Sequence, residues 1–355
     1  MVIHLSSNIL EGVNKNDPPQ HILDSLENLA QCRAEGKHKV ISSRVAIADI
    51  LKTGKLSDKA KRIFNLIRQE YPTEASIRSY VSHVIKVVKP SSSINTSGEK
   101  PVNIRIPIDH FSDSNTIQRT DFIAEDVTDA ELYINAGKLF AHENNLGFTN
   151  QCDVRQGSGG NTHRVFCRLQ RKGEKPALCI VDSDKDHPDD SIGGTAKDVS
   201  KEDDDKLPLA HLHIIEAHEV ENLVPSKFLI SVTSNSTDER EAAENINILD
   251  NNDSISLMRL YVDTRNGTDL ADVMNAYSER GDVDLQSLAA KVDGISLECV
   301  KSLQCKKLDS CECKIIRSVG KKNTSNAIQQ AAESPVGHIK EHASENLLHI
   351  WMEIG

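Results

Sequence analysis

The chain predicts an α/β protein whose mostly parallel sheet is flanked by helices, preceded by an all-helical N-terminal domain and followed by a mainly helical C-terminal segment. Three observations carry that expectation. Short apolar runs alternate with amphipathic stretches between residues 118 and 230, the pattern of strands joined by helices. The first 90 residues instead repeat apolar positions at intervals of three and four. Between the two, KPSSSINTSGEKP exchanges apolar residues for Ser, Gly and Pro and reads as a linker.

Taken in order, HILDSLENLAQCR, SSRVAIADILKTG, DKAKRIFNLIRQEY and TEASIRSYVSHVIKVV each have the spacing of a helix with one apolar face. Ser57 or Asp58 is placed to cap the third, Pro72 to break it, and Thr73 to cap the fourth. Beyond the linker, TDFIAED reads as a strand and DAELYINAGKLFAHEN as a helix with Leu132, Tyr133, Ala136, Leu139 and Phe140 on one stripe. FTNQCDVRQ is a second strand, GSGGNTHRVFCRLQ a glycine turn opening a helix or extended segment, and ALCIVDSD a third strand. LAHLHIIEAHEVENL is a fourth strand running into a short helix. The expected organisation is a basic helical domain over 1–90, a linker over 91–101, a catalytic α/β domain over 102–255 and a mainly helical region over 256–355.

Charge is distributed unevenly. The 355 residues carry a net charge of −11, yet Arg33 to Lys89 holds 13 Lys or Arg against 5 Asp or Glu. A basic first module suggests contact with a polyanion, with Arg78 and Lys86 as candidate nucleic-acid contacts on the fourth helix. A solvated helical surface or a partner-docking bundle explains the same pattern. No apolar run approaches the roughly 18 residues of a membrane span, and the N-terminus lacks a signal-peptide pattern, so a cytoplasmic location is expected. Cys32, Cys152, Cys167 and Cys179 are scattered, as reduced thiols are.

The chemistry is concentrated in acidic clusters that follow the predicted strands: Glu125 and Asp129, then Asp182, Asp184 and Asp186, then Glu219 and Glu221. Carboxylates repel one another and resist desolvation, so several converging at strand ends call for a shared hard cation. Ligand sites of parallel sheets lie beyond the carboxyl ends of the strands, where these clusters fall. In an extended strand end, residues two apart face the same side, which would pair Asp182 with Asp184 and Glu219 with Glu221. Two metal ions about 4 Å apart in such a site polarise a phosphate and activate water for in-line displacement.

These residues carry a resemblance. FIAEDVTDAELY resembles the first motif of TOPRIM domains and CIVDSDKD their Asp-x-Asp motif. With GSGGN between them and AHEVENL after them, about residues 118 to 230 are similar to TOPRIM nucleases of the OLD (overcoming lysogenization defect) family and related phage-defence effectors. The resemblance implies an Mg2+- or Mn2+-dependent nuclease acting on DNA or structured RNA, with two metals. Glu125, Asp129, Asp182 and Asp184 would be catalytic ligands, and Glu219 and Glu221 would complete a second metal position. A later Lys is also expected, for which Lys301, Lys314 and Lys340 are candidates. Asp126 departs from the family's usual Gly. No G-x-x-x-x-G-K-[ST] motif occurs, so an ATPase sensor, if used, would be a separate protein; a homo-oligomer is a further partner expectation.

Alternatives remain at this level. A catalytically silent TOPRIM-like DNA-binding regulator would keep the fold without the chemistry. A haloacid-dehalogenase-like phosphatase also ends a strand in Asp-x-Asp but leaves Glu125 and Asp129 unexplained. DSDKDHPDDSIG fits a calcium loop poorly, since His187 stands where Gly is needed and Gly193 where Glu is. His211, His213 and His218 read as strand-face or core histidines, and GSGGN as a phosphate cradle or a plain turn. Cys299, Cys305, Cys311 and Cys313 crowd into C-x5-C-x5-C-x-C, a candidate structural Zn2+ site or four free thiols.

Overall fold

The computed structural model describes residues 1–147, 151–233, 236–252, 255–269, 272–273, 277, 285–292 and 314–343. The N-terminal part is not all-helical. Strands β1 (Val2–Leu5), β2 (Lys39–Ser42), β3 (His83–Val88), β4 (Asn95–Ser97) and β5 (Val102–Pro107) form one sheet in the order β2-β1-β3-β5-β4. All pairings are parallel except that of β4 with β5.

The reason lies in burial on both sides. Val84, Ile85, Val87 and Val88 are all buried in β3, so the strand reads as a continuous apolar run instead of an alternating one. Such a run mimics a helix face when β-branched composition is given too little weight. VIHL and KVIS are four residues each, too short to show a period. The three preceding helices stand where the apolar spacing puts them: α1 (Gln20–Ala34), α2 (Arg44–Leu51) and α3 (Asp58–Glu74). Ser57 Oγ accepts the Ala60 amide and caps α3, while Pro72 lies within its final turn, followed by a 3-10 turn at Ala75–Ser79. The residues read as a linker carry β4 and join two strands of one sheet, so this first α/β unit extends through β5.

One face of this sheet packs Ile3, Leu5, Val40, Ile85, Val87, Ile104 and Ile106 against α1, α2 and α3. Its other face lays Val2, Ile41 and Val84 against Ile77, Ala141 and Leu146. Arg78 and Lys86 therefore do not share a helix. Arg78 is in the 3-10 turn and Lys86 in mid-β3, opposite His4 of β1, whose imidazole pKa falls to about 4 through burial and then through these two cations.

The second sheet has the order β7-β6-β8-β9, all parallel: β6 (Thr120–Ala124), β7 (Cys152–Gln156), β8 (Ala177–Val181) and β9 (Ala210–Ile214). Alternate residues of each strand point to opposite layers. Phe122, Ala124 and Ile180 join α4 (Val127–Glu143), α7 (Ser226–Val232) and α8 (Thr237–Asp250) in the larger core. Ile123, Cys179 and Val181 join α5 (Thr162–Lys172) and α6 (Gly194–Glu202) on the reverse. Helix α4 belongs to both units: Leu132, Tyr133, Ala136 and Leu139 lie in the larger core, while Ala141 reaches the first sheet.

The described C-terminal residues include a two-stranded antiparallel pair, β10 (Thr268–Asp269) with β11 (Lys314–Ile316). Helices α9 (Leu285–Lys291), α10 (Lys321–Glu333) and α11 (Val336–His342) are the remaining helices among the described residues, and α10 packs on α4 and α7. Cys299, Cys305, Cys311 and Cys313, and with them the zinc expectation, lie outside the described residues. Cys32, Cys152, Cys167 and Cys179 are free thiols. Among the described residues no helix is long and apolar enough to cross a membrane.

Phe64 of α3 is fully buried against the first sheet's core. Phe64→Ala is expected to lower the unfolding free energy by about 3–5 kcal/mol in denaturant titration, and a change below about 1 kcal/mol would contradict that packing.

Candidate functional site

Strand order brings the acidic clusters together. β6 lies beside β8, and β8 beside β9, so the segments leaving their carboxyl ends emerge in adjacent positions. Glu125 follows β6 directly, Asp182 follows β8, and Glu219 and Glu221 lie on the segment after β9. Each position has a local cause. Asp126 caps α4 through the Thr128 amide, and Asp129 Oδ2 returns to accept the Asp126 amide at 3.0 Å, a reciprocal cap that seats Asp129 at the helix entry. Where the resembling family has Gly, Asp126 thus has a capping role.

The two-residue alternation expected after β8 does not hold. The strand ends at Val181, and Asp184 has a φ of 51°, a left-handed conformation that turns its side chain onto Gly193. A Cβ at Gly193 would lie 2.1 Å from Asp184 Oδ2, so only glycine leaves that carboxylate its place. The loop is tied to the β9 segment by Asp184 N donating to His218 O at 2.9 Å and Ser183 Oγ donating to Ala217 O at 2.7 Å. Nor are Glu219 and Glu221 paired by strand geometry: Glu219 precedes a 3-10 turn, Val220–Leu223, and Glu221 is inside it. Asn222 holds this turn, its side-chain amide donating to Arg259 O and Val262 O while its Oδ1 accepts the Glu219 amide.

The glycine loop abuts the first cluster. Gly157 N donates to Ala124 O at 2.7 Å and Ser158 N to Glu125 O at 3.0 Å, with Ser158 and Gly159 both left-handed. A Cβ at Gly157 would meet Thr162 Oγ1 at 2.3 Å, so the loop's close approach to β6 depends on that glycine.

Like charges raise one another's pKa. Burial first, then Asp184, Asp129 and Glu219, push the Glu125 carboxyl up to about 7. Burial and Glu221 take Asp129 to about 6, and burial and Glu221 take Glu219 to about 7. Asp182 keeps some solvent contact but is enclosed by protein; that enclosure and the charges of Glu125, Glu221 and Asp129 raise it well above the carboxylate range. Tyr133 donates its hydroxyl to Asp182 Oδ1 at 3.4 Å.

Sequence reasoning missed Arg265. Its guanidinium donates from Nε to Glu221 Oε1 at 3.0 Å and from Nη2 to the same oxygen, and Nη1 stands 3.9 Å from Glu219. Burial opposes its charge, but Glu221 outweighs that and holds it more firmly protonated. The loop bearing it is secured by Ser318 Oγ donating to Arg265 O and by Val319 N donating to Thr264 O. Forty-odd residues of sequence separate Arg265 from Glu221, and no local motif marks it.

The donor set suits a hard cation: the oxygens are carboxylate, and Glu219 Oε2 and Glu221 Oε2 are buried without a hydrogen-bond partner. As placed among the described residues, no three His, Cys, Asp or Glu side chains stand close enough to hold one metal ion. The remaining candidates separate from the pocket. Asp186 faces His218 at 3.6 Å, and His211 stacks on His83 with ring centroids 4.0 Å apart. Lys340 pairs at 2.7 Å with Glu143, at the far end of α4 from Asp129. Lys314 lies on β11, and Lys301 is outside the described residues. Comparison with protein-family models, curated proteins and solved structures gave no match.

The raised pKa of Glu125 has a defined sign. Stability associated with its protonated form is fully present below about 4.5 and is lost as pH rises through about 7. In divalent-free buffer with chelator, Glu125→Gln is expected to be more stable than the parent by about 1–2 kcal/mol at pH 8 and equal to it at pH 4, after allowance for partial exposure. Equal unfolding free energies at pH 8 would show that the crowding is not felt. Gly193→Ala is expected to displace Asp184 and cost about 1–3 kcal/mol at neutral pH, measured by thermal melting.

Proposed function

We propose that this pocket is the centre of a metal-dependent nuclease of TOPRIM type, hydrolysing phosphodiester bonds of DNA or structured RNA. The observation that carries this reading is the convergence of the segments bearing Glu125, Asp129, Asp182, Asp184, Glu219 and Glu221 beyond the ends of three adjacent parallel strands, with the pKa values of Glu125, Asp129, Asp182 and Glu219 raised by burial and then by neighbouring carboxylates. Carboxylates so crowded are poised to exchange protons for a divalent cation at neutral pH. Glu125, Asp129, Asp182 and Asp184 would hold Mg2+ or Mn2+, with Glu219 and Glu221 as further ligands. When bound, such ions supply Lewis-acid polarisation of a phosphate and a more acidic water.

The chain's own groups have separate tasks. Glu125, titrating near neutrality, is suited to accept or return a proton at its carboxylate. Tyr133 orients Asp182, Asn222 fixes the turn that bears Glu221, Gly157 lets the glycine loop close on the end of β6, and Gly193 leaves Asp184 its place. Arg78 and Lys86 are secondary candidates for contact with the polyanion, now on the first sheet's face. A role in phage defence rests on the sequence resemblance.

The ion pair of Arg265 with Glu221 favours a second reading, a nucleic-acid-binding regulator in which an internal cation occupies part of the carboxylate site. Purified protein incubated with plasmid DNA and tRNA, with Mg2+ or Mn2+, discriminates the two. The nuclease reading expects cleavage that Glu125→Ala reduces by at least about 100-fold, a loss on the scale of a group acting in the transition state. Cleavage equal in both proteins would sink the assigned site, and salt-sensitive binding without cleavage would favour the regulator.

A further inference from the structure

Helix α5 has one face in the core and an outward face of one charge. Thr162, Phe166 and Gln170 are buried beneath the second sheet, while Arg164, Arg168 and Arg171 are exposed. At about 100° per residue the three arginines fall within an arc of about 60° on the side opposite the buried one. THRVFCRLQRK contains no Asp or Glu, in a chain whose net charge is −11. Arg164 and Arg168 have no ion-pair partner among the described residues, and exposed Arg171 meets half-buried Glu202 at 3.4 Å. The arrangement is unfavourable to the isolated helix, because like charges lie four residues apart and Arg164 stands in the first turn, at the positive end of the dipole.

Position gives this face its meaning. The loop that opens α5 bonds to the end of β6 beside Glu125, and a Cβ on Gly159 would lie 4.0 Å from Glu125 Oε2. The row of arginines therefore starts near the carboxylate pocket and runs away from it for about 10 Å. That length matches the axial rise over about three phosphates of one duplex strand.

We infer that Arg164, Arg168 and Arg171 form a track that grips the phosphate backbone of a nucleic acid and leads it to the carboxylate pocket. The inference rests on the nuclease reading for where the track leads, while backbone contact is measurable without cleavage. Guanidinium groups on a rigid helix suit phosphate oxygens, since each presents paired donors in one plane. Contact of this kind reads charge and spacing, so it is tolerant of base sequence.

The test uses the full chain in chelator, with a fluorescein-labelled DNA duplex and an RNA hairpin as probes. Arg164→Gln/Arg168→Gln is expected to bind about tenfold or more weakly near 0.1 M salt. Its slope of log affinity against log salt should be shallower by about 1 to 2, with the melting temperature not lowered. Arg164→Lys/Arg168→Lys should retain most of the salt slope. Arg62→Gln/Arg68→Gln, the same charge change on the exposed side of α3, should alter binding little. The track is overturned if the parent binds neither probe, if the α5 variant keeps its affinity and slope, or if the α3 variant loses as much. It is also overturned if sedimentation without nucleic acid shows an oligomer that the α5 substitutions abolish, since a second copy would then cover this face. Parallel cleavage assays with the parent and Glu125→Gln separate the two readings. Loss of binding in the α5 variant with no cleavage by any protein retains the track and rejects the nuclease; Glu125-dependent cleavage with unaltered α5 binding does the reverse.

Discussion

Confinement of like charge is the constraint around which this molecule is built. Six carboxylates follow the ends of three adjacent strands, and although no three of their side chains stand close enough to share one ion, burial and neighbouring charge raise the pKa values of Glu125, Asp129, Asp182 and Glu219. Arg265 offsets part of that repulsion by bonding Glu221 and approaching Glu219. Protonation offsets more, since Glu125 and Glu219 titrate near neutrality. The repulsion is held in place by apolar layers on both faces of the sheet, with Ile180 and Phe122 on one side and Phe166, Cys179 and Val181 on the other. On the proposed reading, a bound cation would relieve the repulsion that remains.

Helix α4 transmits this arrangement to the rest of the chain. Its first turn holds Asp129 by a reciprocal cap, Tyr133 one turn on is buried with its hydroxyl on Asp182, and its last turn seats Ala141 on the first sheet. The first α/β unit thus bears on the same helix that positions the pocket. The reverse layer has a different character: α5 is pinned by Phe166 and directs only cations outward. Anionic pocket and cationic helix are joined through the glycine loop at Ser158 and Gly159, whose left-handed backbone allows the chain to turn tightly beside Glu125.

What could be read beforehand follows the range of each signal. Amphipathic helices α1, α3 and α4 were legible because a 3.6-residue period extends over 15 or more residues in each. The strands β6, β8 and β9 were legible because turn residues and acids bound their short runs rich in apolar residues, whereas β7, CDVRQ, is largely polar. In VSHVIKVV the same runs misled, since a strand buried on both faces loses its alternation, and β1 and β2 were too brief to register. Asp182 and Asp184 do not pair as strand residues two apart would, because β8 ends at Val181 and Asp184 takes a left-handed backbone.

The chemical identity of the pocket is therefore a property of the linear chain: acids recur after apolar strands, and their repulsion is fixed by composition at those points. Tertiary structure decided which of them meet. Parallel order β6-β8-β9 gathers Glu125, Asp182 and Glu219, and moves Asp186 and Lys340 elsewhere. It also brings in Arg265 across more than forty residues and aligns Arg164, Arg168 and Arg171 outward beside the pocket. Such partners leave no local trace, because charge pairing depends on separation in space and not on spacing along the backbone.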